Sequence, residues 1–163
     1  MIRPLAFVPL TACLVSGAIP GSPYRPSDFR VTDMRAVLYY ERDATFSSFD
    51  AMADEGPETP ASALWNTPAG EGSAGKPSSA TLILVRVSGP VESPWNATLQ
   101  VVANARSGQL GDRLISLKPF FGAPTAWIPV LLYGTGCERV SVTATIQGTP
   151  NGVTKALPFK CGE

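Results

Sequence analysis

The sequence predicts an all-β domain, an antiparallel sandwich of about seven strands, and three observations carry that expectation. From residue 80 onward, short apolar or alternating runs recur about every thirteen to sixteen residues, each bounded by turn chemistry. Glycine and proline are both abundant, at 15 and 16 of 163 residues, a usage that suits short strands joined by tight turns better than a helical bundle. The chain is 44% hydrophobic and only 16% charged, too apolar for a disordered segment and long enough for one domain with its own core.

Residues 1–18 read as an export signal. Arg3 gives a short positive start, residues 5–15 (LAFVPLTACLV) are a brief apolar stretch, and Ser16, Gly17 and Ala18 put small residues before a cut at Ile19. The stretch is too short for a membrane span and Pro9 interrupts it. A second reading stands beside this one: Leu10-Thr11-Ala12-Cys13 has the order of a bacterial lipobox, in which Cys13 carries a lipid anchor. The mature chain is then secreted or periplasmic, or lipid-anchored to the envelope.

The elements follow in order. Residues 19–28 (IPGSPYRPSD) contain three prolines and read as an extended lead-in to a single domain over 29–163. Within residues 29–41, the β-rich run 36–40 predicts the first strand. Residues 42–53 are ambiguous, because Phe46, Phe49 and Met52 recur at helical spacing and fit either a short helix or a second strand. Residues 54–79 hold twelve Pro, Gly or Ser among twenty-six and read as a long loop, with Leu64-Trp65 docking part of it back on the body. Strands are expected at 81–87 (TLILVRV, apolar on both faces and therefore central), 97–104, 113–118 and 126–133, with turns at 88–90, 107–112 and 134–136. Residues 119–137 carry no charge, but three prolines and three glycines exclude a spanning helix, and Pro129 within a strand implies an edge or a bulge.

The last element is a hairpin. Residues 139–147 (RVSVTATIQ) alternate strictly, 148–152 (GTPNG) supply a turn, and 153–160 return. With Cys13 in the signal, Cys137 and Cys161 remain as an even pair. A hairpin pivoting at Thr149 sets them opposite each other, within disulfide reach, and closing such a loop stabilises the fold by about 3 kcal/mol. Val140, Val142, Ala144 and Ile146 then face the core together.

The strand rhythm resembles that of an immunoglobulin-like sandwich, for which seven strands are expected. The sequence departs from antibody-type domains in its cysteines, which bracket one hairpin instead of bridging two sheets.

The chemistry points away from catalysis. The chain has no histidine, which removes the Ser-His-Asp and Cys-His arrangements and the commonest ligand of transition metals. The Gly-x-Gly at 70–72 lies in a Pro-rich loop and carries no dinucleotide-binding weight. Glu41, Asp43, Asp50, Asp54, Glu55 and Glu58 form an acidic run without calcium-loop spacing, best read as a solvated face. Thirteen basic residues balance thirteen acidic ones, so no field recruits nucleic acid. No cofactor, metal or nucleic acid is expected. Recognition falls to aromatics: Trp65 in the long loop, Trp95 in the loop 88–96, and Phe120 and Phe121 in the loop 119–125, with Trp127 and at least one of the two phenylalanines assigned to the core. Asn96-Ala97-Thr98 is a glycosylation sequon in a eukaryotic host. The expected function is an exported, non-catalytic domain that binds another protein or serves as a structural accessory of the envelope. A carbohydrate or small-molecule module using exposed aromatics is the alternative.

Overall fold

The structure is a computed structural model, and it describes residues 24–41, 43–53, 63–64, 67–68, 78, 80–91, 97–117, 123–135 and 138–159. Among these residues eight strands form two four-stranded antiparallel sheets. The front sheet has the order β2-β1-β5-β8, with β1 at Arg30–Tyr40, β2 at Thr45–Phe46, β5 at Ala80–Ser88 and β8 at Thr125–Tyr133. The back sheet has the order β10-β9-β6-β7, with β6 at Ala97–Ala105, β7 at Gly108–Leu117, β9 at Val140–Ile146 and β10 at Gly152–Leu157. A separate two-residue pair, β3 (Ala63–Leu64) with β4 (Thr67–Pro68), interrupts the long loop.

Strand alternation builds the core. Met34, Ala36 and Leu38 of β1, Ile83, Val85 and Val87 of β5, and Ile128, Val130 and Leu132 of β8 all point inward and are buried. Leu99, Val101 and Ala103 of β6 and Val140, Val142, Ala144 and Ile146 of β9 meet them from the back sheet. Each valine, leucine, isoleucine or methionine among them contributes about 1.5 to 3 kcal/mol when fully buried, and each alanine less. The four β9 residues therefore face the core as the alternation predicts, and β5 is central in the front sheet, paired with β1 on one side and β8 on the other. Pro129 sits in β8, an edge strand, where its missing N–H costs no ladder bond on the open side.

Five details differ from the sequence reading. Pro26–Asp28 is a 3-10 turn, closed by Asp28 N donating to Arg25 O and Arg25 N to Asp28 Oδ2, where an extended lead-in was expected. Of the stretch 42–53, the described residues 43–53 are neither helix nor full strand: Thr45–Phe46 pairs briefly with Tyr39 and Tyr40, and turns then carry the buried Met52 and half-buried Phe49 to the core. Residues 108–112, read as turn, are the first half of β7. The hairpin reverses at 106–107, and a bulge at Leu110 absorbs the extra residue opposite Ala103 and Asn104. Trp127, assigned to the core, is 38% exposed on the outer face.

The fifth difference is the register of the last hairpin. Val140 pairs with Leu157 and Thr145 with Gly152, so the ladder is centred between Gly148 and Thr149, not on Thr149. The opposition of 137 and 161 is thus not the register of this ladder, and both cysteines lie outside the described residues. Gly148 takes the left-handed conformation (φ 80°) at the turn. Gly152 has no room for a side chain, because a Cβ there would stand 2.8 Å from Ala144 O and against the methyl of Thr145.

Candidate binding face of the front sheet

The two outer faces of the sandwich differ in chemistry. The back sheet presents Thr98, Gln100, Val102 and Asn104 of β6, the exposed Leu114 of β7, Ser141, Thr143 and Thr145 of β9, and Thr154 of β10, with hydrogen bonds from Gln100 Nε2 to Asp112 (3.0 Å) and between the Thr143 and Thr154 hydroxyls (3.0 Å). That is a solvated face. The front sheet presents the opposite pattern, and the reason lies in β5 and β8, which are apolar at odd and even positions alike.

Register aligns the front face into four rows. Asp33, Arg86 and Trp127 form the first, Arg35, Leu84 and Pro129 the second, Val37, Leu82 and Leu131 the third, and Tyr39, Ala80 and Tyr133 the fourth. Phe46 of β2 extends the fourth row, its ring 5.2 Å from that of Tyr39. Phe46 and Tyr133 are 53% and 61% exposed. Val37, Leu82, Leu84 and Leu131 are half-buried, and Ala80 is fully buried.

Trp127 is held by cations. The guanidinium carbons of Arg35 and Arg86 lie 5.3 and 5.9 Å from its ring centroid, within cation–π range. The tryptophan was misassigned because Ile128, Val130 and Leu132 are also apolar, so hydrophobicity could not say which parity of β8 faces in. Arg86 was the available signal: a charge in TLILVRV marks its own parity, with Leu84 and Leu82, as outward.

The free edge of β1 is sealed. Ser47 N donates to Leu38 O (2.9 Å) and Leu38 N to Ser47 Oγ (3.0 Å). Ala36 N donates to Asp50 Oδ1 (2.8 Å), Ala51 N to Ala36 O (2.7 Å), and Lys155 Nζ of β10 to Met34 O (2.7 Å). Lys155 also bonds Asp33 Oδ1 at 2.9 Å, and this bond, helped by the lysine charge, the Met34 amide and Arg35, holds the Asp33 carboxyl below its ordinary range. Of the acidic run singled out by sequence, Asp50 is therefore a backbone cap, Glu41 and Asp43 lie in and beside the β1–β2 turn, and Asp54, Glu55 and Glu58 lie outside the described residues.

Among the described residues no group of three or more His, Cys, Asp or Glu side chains is placed to hold a metal ion, and no helix is long and apolar enough to cross a membrane. Cys13, Trp65, Trp95, Asn96, Phe120, Phe121, Cys137 and Cys161 lie outside the described residues. No known family or curated protein matches the chain. The face itself is thus the basis for a functional reading.

Proposed function

We propose that the chain is an exported, non-catalytic β-sandwich that binds another macromolecule, or serves as a structural accessory of the cell envelope, through the outer face of its front sheet. One observation carries this reading: among the described residues the outer face of β1, β5 and β8 sets the half-buried Val37, Leu82, Leu84 and Leu131 between exposed Trp127 and Tyr133, whereas the outer face of the back sheet is mostly polar around its exposed Leu114. Monomeric soluble proteins seldom leave such a patch open unless it recognises something. The immunoglobulin-like assignment stays part of this reading and rests on the number of long strands, seven, in the two sheets.

The alternative reading is a carbohydrate or small-molecule module using exposed aromatics; Trp65 and Trp95, its platforms, lie outside the described residues, and the described Trp127 has two guanidinium groups within cation–π range of its ring.

Covalent footprinting tests the reading. Trp127 and Leu131 labelled in intact envelopes of the native host should be protected relative to the purified, dilute protein, while Val91, exposed at a loop, should label equally in both. Equal labelling of Trp127 in both samples would remove the face from consideration. Export is tested in the same material: mass spectrometry should find a chain beginning at Ile19 or at lipidated Cys13, with Cys137 bridged to Cys161, and an intact N-terminus in cytosol would overturn it.

A further inference from the structure

We infer that the occupant of the front face is a second copy of this chain, docked face to face across a twofold axis that lies in the interface and runs perpendicular to the strands. The inference rests on the reading above that this face is an interface, and adds what fills it. Such an axis reverses strand direction, so the first row of one copy lies over the fourth row of the other, and the second over the third.

The polarity of the face selects that axis. One end carries Arg35 and Arg86 over Trp127, with the Asp33 carboxylate in the same row bonded to Lys155. The other end is aromatic, with Tyr39 and Tyr133 flanking the buried Ala80, and Glu41 follows the end of β1 there. A twofold parallel to the strands would stack arginines on arginines, which repel. The perpendicular twofold sets Arg86 and Trp127 of each copy on the tyrosine end of the other, where cation–π and aromatic contacts form. At the centre, Leu84 and Pro129 meet the copy's Leu82 and Leu131, apolar on apolar. An isologous contact of this kind uses the same patch twice and closes on itself.

The area is adequate. Three strands at about 4.8 Å by four rows at about 6.7 Å give roughly 400 Å² in plan, so both copies together bury of order 1,000 Å² once side-chain relief is counted. That is the threshold of specific association, so the dimer is expected to be one that dissociates on dilution. The back face sets its apolar Leu114 and Val102 among rows of threonine, serine and glutamine.

The experiment is site-specific photocrosslinking of the full chain with a benzophenone side chain at Leu131, and at Thr143 on the back face as control, read beside sedimentation velocity. We expect an adduct of twice the chain mass from 131 and none from 143, with sedimentation shifting from dimer towards monomer on dilution. Leu84→Lys and, separately, Arg86→Glu should each reduce the adduct and the dimer fraction at least tenfold. Both positions are outside the core, and circular dichroism checks that the variants fold. In host envelopes, a position-131 adduct to a different protein without self-adduct would overturn the second copy while leaving the face an interface. No adduct at 131 above the 143 control, in vitro or in the envelope, would overturn both.

Discussion

Lys155 of β10 reaches between the sheets to Asp33 of β1, Nζ to Oδ1 2.9 Å, although its position opposite buried Val142 is one that alternation assigns to the core. Its ammonium also takes the Met34 carbonyl at the open edge of β1. An inward charge on an edge strand serves two ends at once: it clamps the two sheets together at that side and makes the edge of β10 a poor template for another strand.

Replacing Lys155 by Met should therefore lower stability by about 1 to 2 kcal/mol at neutral pH, because Asp33 and the Met34 carbonyl lose a shared donor while both are only partly exposed. Thermal unfolding should show a fall of about 3 to 8 °C. Refolding at high concentration should yield more aggregate, measured by light scattering, since the edge loses its charge. An unchanged melting temperature would show that the clamp is immaterial.

The same pair fixes a pH dependence. Asp33 titrates below its ordinary value of 3.8 in the folded state, first because Lys155 donates to it. A depressed folded value means that the unfolded chain binds the proton more readily, so the pair's contribution is complete well above 3.8 and is lost as pH falls through the lowered folded value. The stability difference between wild type and Lys155→Met should accordingly shrink on acidification below 3.8 and stay constant between pH 6 and 8. Carboxyl NMR should place Asp33 closer to 3.8 in the variant than in the wild type.

Asp50 is expected to act as an acceptor and not as a charge. Its Oδ1 takes the amides of Ala36 (2.8 Å) and Met52 (3.0 Å), which seals the β1 edge. Asp50→Ala should cost about 1 to 3 kcal/mol by leaving two amides unpaired. Asp50→Asn, which keeps a carbonyl oxygen, should recover most of that. Hydrogen exchange at Ala36 should accelerate in the alanine variant and little in the asparagine one, and equal acceleration in both would point to the charge instead.

Neighbouring residues of β5 should respond very differently to the same truncation. Ile83 is fully buried while Leu84 lies half-buried on the outer face. Ile83→Ala should cost about 2 to 5 kcal/mol through the cavity it leaves. Leu84→Ala, measured by denaturant titration in dilute solution, should cost about 1 kcal/mol or less. Comparable losses would mean that the outer face is already covered within the monomer.

The sequence by itself determined the all-β class, the position of nearly every long strand from 80 onward, the central place of β5 and the inward set of β9, and through Pro129 it narrowed β8 to an edge or a bulge. These follow from local quantities: period-two alternation, turn residues, and a missing amide. Tertiary structure alone decided which face of β8 carries Trp127, because both parities are apolar and only the partner sheet selects one. It decided the start of β7, where pairing with β6 draws Gly108 to Asp112 into a strand that glycine-rich chemistry reads as turn. It set the β9–β10 register one residue away from symmetry about Thr149, since a turn's composition fixes that the chain reverses but not the pairing on which it closes. And it turned Asp50 and Lys155 into partners of the β1 backbone, because which distant amides and carbonyls come within 3 Å is a property of packed sheets and of no short stretch of sequence.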